Sequence, residues 1–267
     1  MFNIKPIYGG ISSVDGFFCD GVSMGLKANN GLDLGFIYSD VECDISSLFT
    51  TNRFQAAPLK HYQKYNKNFK TNFILVNSKN ANAMTGNKGI DDIDELLLDL
   101  KNRFPNISNP IMSSTGVIGY RLDKDRFFDS FNKFNLENRD SDNLAKAIMT
   151  TDSFDKQIAL EITLDNGKKF NIAGVAKGAG MINPAMATML CFITTDANIP
   201  KDDMDILLKE INDVTFNTIS VDSDTSTNDT VMLLSSKKSK VYDKDAFNEA
   251  LKLVMKNLSQ LMLKDGE

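Results

Sequence analysis

The chain has 267 residues, 42% of them hydrophobic, which is enough for one large domain or two closely packed ones. Its 30 Lys and Arg against 35 Asp and Glu give a net charge of -5 without a long basic block, which argues against a nucleic-acid partner. Because no signal-peptide pattern and no run of roughly 20 apolar residues is present, we expect a cytoplasmic protein that does not enter a membrane.

The first half of the chain alternates strand and helix patterns. Apolar runs bounded by Gly, Asn and Asp predict strands at 34–41, at 73–78 and at the start of 111–119, where a turn follows. Apolar residues at helical spacing predict helices at 90–104, 122–134 and 142–150.

The second half contains the clearest hairpin. Its arms, 157–164 and 168–176, flank Asp165-Asn166-Gly167, and Asn-Gly supplies the positive φ that a tight turn demands. Further patterns predict a strand over 188–195, a helix from Pro200 to Val214, a strand over 230–236 and a helix over 244–264. Strands and helices interleave without a strict period, which favours mixed α/β layers over a doubly wound nucleotide-binding fold.

The reactive side chains are few. Cys19, Cys43 and Cys191 are odd in number and lack CxxC spacing, so we expect reduced thiols and no metal site. His61 lies in the polar stretch KHYQKYNK, and we expect it on the surface. A Ser-His-Asp or Cys-His mechanism needs a positioned imidazole, for which this sequence offers one poor candidate.

Four clusters of glycine and polar residues lie at strand ends, where functional sites collect. They are NSKNANAMTG (77–86), SSTGVIG (113–119), AKGAGMINPAMAT (176–188) and SVDSDTSTNDT (220–230). The first and third lack the order of a nucleotide phosphate loop, and the preferred interpretation of the first is an asparagine-rich turn that braces a neighbouring loop. The fourth lacks the Gly and Glu of a calcium loop, and a capped, hydrogen-bonded turn is an equal interpretation.

Two of these clusters contain groups suited to acyl transfer. Thr115-Gly116 can present a hydroxyl and an amide to an oxyanion, and a plain turn is the alternative. Thr188 follows a loop of small residues. If backbone scission freed Thr188 as an amino terminus, its α-amine, with an ordinary pKa of about 7.7 to 8.0, could act as the base. An ordinary threonine at the start of a strand is the other interpretation.

Five motifs in one order resemble those of a known family. NSKNANAMTG, STGVIG, AIMTTDS, AKGAGMINPAMATML and VDSDTSTNDT occur at the approximate spacing seen in the ornithine acetyltransferases, the bifunctional glutamate N-acetyltransferases of arginine biosynthesis. The resemblance runs from about Gly9 to the last residue. It implies a layered αββα sandwich of mixed sheets, shared with a group of self-processing aminopeptidases.

The resemblance also implies a reaction. The chain would cut itself between Ala187 and Thr188 into an amino-terminal chain, 1–187, and a carboxyl-terminal chain, 188–267, which stay associated in one structural unit. Thr188 would take the acetyl group of N-acetylornithine and pass it to glutamate without a cofactor. Acetyl-CoA is a further donor in the broader form of the family, and the cut pairs are expected to form homo-oligomers.

The same resemblance assigns the site residues. Thr115 and Gly116 match the oxyanion pair, and Thr151, Lys177 and Glu267 match substrate-binding positions beside Thr188. A lysine suits the carboxylate of an amino acid.

This sequence departs from the family pattern in a few places. Lys79 and Met84 stand where Gly and Cys are usual, and Ser223 replaces a usual Gly. The chain stops at KDGE where family members continue, so we expect a shortened member. Two alternatives stay open: a hydrolase of the same fold that uses Thr188, and a non-catalytic remnant or partner subunit.

Overall fold

The computed structural model describes residues 1–180, 189–222 and 224–266. The strands are β1 (Phe2–Pro6), β2 (Phe17–Val22), β3 (Leu34–Phe49), β4 (Lys70–Asn77), β5 (Ile111–Ser114), β6 (Lys156–Leu164), β7 (Lys169–Lys177), β8 (Leu190–Thr195) and β9 (Thr230–Ser235). The helices are α1 (Ala57–Tyr62), α2 (Gly86–Arg103), α3 (Lys124–Phe131), α4 (Ser141–Ile148), α5 (Lys201–Asp213) and α6 (Lys244–Lys264). None of the helices in these ranges combines the length and hydrophobicity that crossing a membrane requires.

The described strands form one mixed sheet in the order β1-β6-β7-β8-β9-β3-β4-β5, with β2 also paired to β3. Strand β3 has 16 residues, and its first half pairs with β2 and β4 while its second half pairs with β9. Its register with β4 shifts between Tyr38 and Cys43, the kind of irregularity at which a strand bends. One long strand therefore belongs to both halves of the sheet.

Three hydrophobic layers show that the two halves face each other. In the middle layer, Ile37 and Ile74 of one half pack with Phe192 and Met232 of the other. Since neighbouring side chains on a strand point to opposite faces, the residues next to these pack outward against helices. Outer layers comprise Ile193 and Leu233 with α5 and α6, and Phe36 and Phe73 with α2 and α3. The predicted αββα layering is confirmed, with a single sheet that contributes to both inner layers.

The final helix, α6, covers one face of the sheet. Its apolar residues Phe247, Leu251, Val254 and Leu258 are fully buried, and each such side chain stabilises the fold by about 1.5–3 kcal/mol. The Asp243 side chain accepts the Ala246 amide at 2.9 Å and caps the helix start. The predicted amphipathic helix thus docks as its pattern requires.

The hairpin of β6 and β7 is also confirmed. Thr163 pairs with Lys169, and the register continues antiparallel to Lys156 opposite Ala176. Gly167 has φ +77°, the left-handed conformation expected of the Asn-Gly turn.

The expectation of a surface position for His61 is wrong. His61 lies in α1 with only 3% of its side chain exposed, and its Nε2 atom is 2.8 Å from the Asp94 carboxylate. Burial lowers the pKa of His61, although Asp94 opposes this. The imidazole faces Asp94 of α2 rather than solvent because α1 packs against that helix and buries Ala57, Pro58 and Leu59 together with His61. His61 does not line the cavity between the strand-end loops.

Candidate active site

Five chain segments meet at one edge of the sheet. Strands β4 and β5 run parallel and end together, with Asn77 opposite Ser114. At the same edge β7 ends at Lys177, opposite Leu190 at the start of β8, and Leu190 pairs with Thr230 at the start of β9. The loops that leave or enter these strands contain all four of the polar clusters noted in the sequence.

A cavity of about 330 Å³ lies between these loops. Thr115, Gly116, Thr151 and Lys177 all line it, so the structure brings together every described residue that the family resemblance assigned to the site. The remaining lining residues include Lys79, Ala81, Val117, Ile118, Thr150, Gly180, Asp222, Ser226, Thr227 and Asn228. Ala187, Thr188 and Glu267 lie outside the described residues, as does Ser223, and their assigned roles stay predictions.

The Thr115-Gly116 turn is held against the asparagine-rich loop. Thr115 donates its amide to the Asn77 carbonyl at 3.0 Å, and Val117 donates to Lys79 at 3.1 Å. Between them, the Gly116 amide donates to no oxygen among the described residues, which leaves it available to a ligand in the cavity. This is the arrangement that an oxyanion donor needs.

Gly116 also has no room for a side chain. Its φ is +131°, and a Cβ atom added there would lie 2.3 Å from the backbone carbon of Lys79. The positive φ and the close approach both require glycine.

The asparagine-rich loop braces this turn, as one of the two sequence interpretations predicts. Asn77 donates its side-chain amide to the Asn80 carbonyl at 2.8 Å, and Ala81 donates its main-chain amide to Val117 at 2.9 Å. Lys79, which stands where the family usually has Gly, adopts φ +71°. A non-glycine residue in this region carries a strain of about 1–2 kcal/mol, so the departure has a cost in the backbone.

Lys177 lies at the end of β7 and is only 3% exposed. Its Nζ atom is 3.7 Å from Oδ2 of Asp152. Burial lowers the pKa of Lys177, and Asp152 opposes this shift because an opposite charge favours the ammonium. A cation in the cavity wall can bind the carboxylate of an amino-acid substrate.

Lys27 adds to the positive field beside the cavity. Burial lowers its pKa to about 8, Asp33 opposes the shift, and the charges of Lys79 and Lys177 lower it further. Lys27 donates from Nζ to the Lys146 carbonyl at 2.9 Å. This group of lysines favours an anionic ligand over a cationic one.

Asp152 is a buried junction that the sequence analysis did not identify. Its Oδ1 atom accepts the Gly178 amide at 2.6 Å and Lys156 Nζ at 2.8 Å, while Oδ2 accepts the Thr150 amide at 3.0 Å. Burial would raise the Asp152 pKa, but the Lys177 charge and the hydrogen bonds from Lys156 and Thr150 outweigh it and bring the pKa to about 2. Asp152 therefore stays ionised. It holds Thr150 in one cavity-lining segment and Gly178 in the other.

The same network reaches the end of α6. Lys156 is fully buried and donates to Asp265 at 2.5 Å, and Asp265 also accepts the Ser153 amide. Two carboxylates thus balance the charge of Lys156 and Lys177 in the wall of the site. The sequence signal that could have identified Asp152 is its position in the AIMTTDS motif. No such signal marks Lys156, which is the first residue of β6.

The 220–230 loop ties the site together. Asn228 donates its side-chain amide to the carbonyls of Ala81 at 2.7 Å and Ser114 at 2.8 Å, so it joins three of the converging segments. Asp229 is fully buried and accepts the Met189 amide at 2.9 Å. Met189 is the residue directly after Thr188, so the main chain is anchored immediately beyond the predicted nucleophile.

The ArgJ family matches residues 18–267, nearly the whole chain. The chain belongs to the ArgJ family.

Curated ArgJ relatives are similar along the full chain. The arginine biosynthesis bifunctional protein ArgJ of Wolinella succinogenes is 52% identical over 267 residues, which cover 100% of this chain and 67% of the relative. The glutamate N-acetyltransferase of Methanocaldococcus jannaschii is 41% identical over 275 residues, covering 99% of this chain and 66% of that protein. The chain thus spans about two thirds of the length of these relatives.

Solved ArgJ structures share the fold. The arginine biosynthesis bifunctional protein ArgJ of Bacillus halodurans is 31% identical with a TM-score of 0.62, and 71% of this chain matches 100% of that chain. The ornithine acetyltransferase of Mycobacterium tuberculosis, solved with ornithine, is 27% identical with a TM-score of 0.59, and 70% of this chain matches 100% of that chain. A β-aminopeptidase of Burkholderia, 9% identical with a TM-score of 0.59 over 98% of this chain and 88% of that one, shares the fold alone.

Proposed function

We propose that the protein is an acetyltransferase that moves the acetyl group of N-acetylornithine to glutamate through an acetyl-threonine at Thr188. The observation that carries this proposal is the cavity lined by Thr115, Gly116, Thr151 and Lys177. Lys177 pairs with Leu190, and the preceding residue, Met189, is anchored by Asp229. Membership of the ArgJ family supports the proposal, because relatives carry the names glutamate N-acetyltransferase and ornithine acetyltransferase.

The proposed chemistry has two steps. The α-amine of Thr188 takes the hydroxyl proton, and Oγ1 attacks the acetyl carbonyl of N-acetylornithine. The Gly116 amide and the Thr115 side chain stabilise the oxyanion, the C–N bond breaks, and ornithine leaves with the proton on its amine. The amine of glutamate then attacks the ester, which returns the proton to Thr188. Lys177 and Thr151 bind the substrates, and Glu267 contributes to the same function.

Self-cleavage between Ala187 and Thr188 creates the free amine. The Thr188 hydroxyl first attacks the Ala187 carbonyl beside the same oxyanion donors, and the peptide C–N bond breaks with the proton passing to the Thr188 amine. Water then hydrolyses the resulting ester, which frees the Ala187 carboxylate and the Thr188 hydroxyl. The solved ArgJ chains are consistent with this step, because 70–71% of this chain matches their full length, so each of them is shorter than this chain. The two products are a chain of residues 1–187 and a chain of residues 188–267.

The test combines intact mass spectrometry with a transfer assay. We expect fragments that end at Ala187 and begin at Thr188, together with formation of N-acetylglutamate from N-acetylornithine and glutamate. Thr188→Ala abolishes both, whereas Thr51→Ala, a change at an exposed threonine, leaves both unchanged. An uncut chain without turnover would instead indicate the non-catalytic alternative.

The products of the same assay separate the other possibilities. Release of acetate without N-acetylglutamate would assign a hydrolase. Formation of N-acetylglutamate from acetyl-CoA would add the second donor, and light scattering of the cut protein measures whether the pairs assemble into homo-oligomers.

A further inference from the structure

Met189 is held through both its amide and its carbonyl by Asp229 and by Thr230, the first residue of β9. Its amide donates to Oδ1 of Asp229 at 2.9 Å, and its carbonyl accepts the Thr230 amide at 3.0 Å. The main-chain carbonyl of Asp229 accepts the Thr50 amide at 3.0 Å. The aspartate is therefore fixed between the end of β3 and the start of β8. The main chain next to residue 188 therefore rests on a rigid support.

Burial of the Asp229 carboxylate is energetically unfavourable. Its side chain is fully buried, and its Oδ2 atom forms no hydrogen bond of standard geometry among the described residues. Burial raises the pKa of Asp229 well above its ordinary range, although the Met189 amide, the Ser226 side chain, the charge of Lys177 and the Thr50 side chain oppose the shift. An unsatisfied buried polar group costs about 1–3 kcal/mol, so stability alone does not account for an aspartate here.

We infer that Asp229 is a positioning residue, which holds the peptide plane between residue 188 and Met189 for the self-cleavage and acetyl transfer proposed above. The inference rests on that proposed function. A trans peptide group is planar from one Cα atom to the next, so the hydrogen bond to the Met189 amide restrains the plane that contains the Cα atom of residue 188. A displacement of about 1 Å at a reacting group can cost 100-fold in rate.

The structure supplies a matched control. Asp229 binds the residue before β8, and Asp196 follows the last residue of the same strand. Asp196 is 5% exposed and accepts the Asn171 amide at 2.8 Å, which makes it a second buried aspartate with a main-chain partner. It lies at the opposite end of β8 from the cavity.

The experiment follows the cleavage rate of freshly made protein by gel and intact mass, with the unfolding midpoint measured in parallel. Asp229→Ala is expected to slow cleavage about tenfold or more. Asp229→Asn keeps an oxygen that can accept the Met189 amide, so its rate is expected to stay within about threefold of wild type. Asp196→Ala is expected to lower the midpoint and to cleave at the wild-type rate.

Three results would overturn the inference while leaving the proposed function in place. They are a wild-type cleavage rate in Asp229→Ala, an Asp229→Asn rate as low as that of Asp229→Ala, and equal slowing in Asp196→Ala. An uncut wild-type chain would contradict the proposed function itself, and the inference with it.

Discussion

Gly116 is the residue at which backbone geometry and chemistry coincide. Its amide has no hydrogen-bond partner among the described residues, its φ is +131°, and the Lys79 backbone leaves no room for a Cβ atom. Gly119, three residues along, shares a positive φ of +95° but has nothing within 4 Å of a Cβ atom. The two glycines therefore separate the effect of crowding from the effect of a left-handed backbone.

We predict that Gly116→Ala destabilises the protein by about 3 kcal/mol and abolishes acetyl transfer, because the added carbon displaces the Lys79 backbone. Gly119→Ala is expected to cost about 1 kcal/mol through backbone strain alone and to keep the activity. Urea unfolding and the transfer assay measure both effects. Equal losses of stability and activity in the two variants would show that crowding at Gly116 is unimportant.

At this scale the sequence predicted some residues well and others poorly. Thr115 and Gly116 were suggested by turn chemistry as well as by the family resemblance, whereas Thr151 and Lys177 came from the resemblance alone. The structure places all four in one cavity, although it does not test their roles. His61 was misplaced because its polar neighbours hide that α1 packs it inward together with Ala57, Pro58 and Leu59. A helix of six residues is too short to show a periodic signal.

The buried network around Asp152 joins separate elements. Lys156 begins β6, Lys177 ends β7, and Asp265 follows α6. Lys156 nevertheless forms ion pairs with Asp152 and Asp265, and Lys177 lies 3.7 Å from Asp152. Breaking such a buried pair is costly because it leaves an unpaired charge in the interior. The wall of the site is therefore coupled to the docking of α6.

The pKa of Asp152 sets a pH dependence for this network. Because its folded pKa of about 2 lies below the unfolded value of about 3.9, the contribution of Asp152 to stability is fully present above about pH 5 and is lost as the pH falls towards 2. The full loss for wild type should be about 2.6 kcal/mol, of which roughly half is expected between pH 6 and pH 3. Asp152→Asn should be less stable than wild type at pH 6 and should lose less stability on acidification.

Chemical unfolding at pH 6 and at pH 3 measures this difference, with Asp91→Asn, a change at an exposed aspartate, as the control. The control is expected to follow wild type at both pH values. An Asp152→Asn variant that loses as much stability on acidification as wild type would remove Asp152 as the cause.

Elements with strong local signals were predicted correctly. The Asn-Gly hairpin and the amphipathic helices α2, α5 and α6 follow from turn chemistry and from period 3.6. Strand β1 was missed because its residues are largely exposed, and it is a strand only because Phe2 pairs with Leu164 far along the chain. The second half of β3 was missed because polar residues interrupt its apolar run, and pairing with β9 overrides that signal.

The strand order of the sheet would keep the two products of a cut together. If the chain is cut after residue 187, β8 and β9 belong to one product, while β7 and β3, which flank them in the sheet, belong to the other. The products then share two complete strand pairings as well as the core beneath α5 and α6. Separating them requires unfolding of the sheet.

We therefore predict that the cut chains elute together and give one complex in native mass spectrometry. They should separate only in concentrated guanidinium chloride, and uncut Thr188→Ala should behave as a single species in both conditions. Two independent species in native buffer would contradict the shared sheet.

The αββα layering itself was accessible from the sequence only through the resemblance. Strand and helix patterns indicated mixed α/β layers, but nothing local shows that β3 serves both halves of one sheet. That arrangement depends on pairings between distant segments, such as Asp44 with Ser235. Long-range pairing of this kind leaves no periodic mark on a single sequence.

The central claim is that Thr188, freed by self-cleavage, carries the acetyl group between two amino acids. Its most direct test is mass spectrometry of the protein after incubation with N-acetylornithine and no acceptor, with fragmentation to locate any modification. We predict a chain that begins at Thr188 and carries one acetyl ester on that residue, lost when glutamate is added. An unmodified Thr188 under these conditions, or an acetyl group on another residue that glutamate removes, would contradict the account.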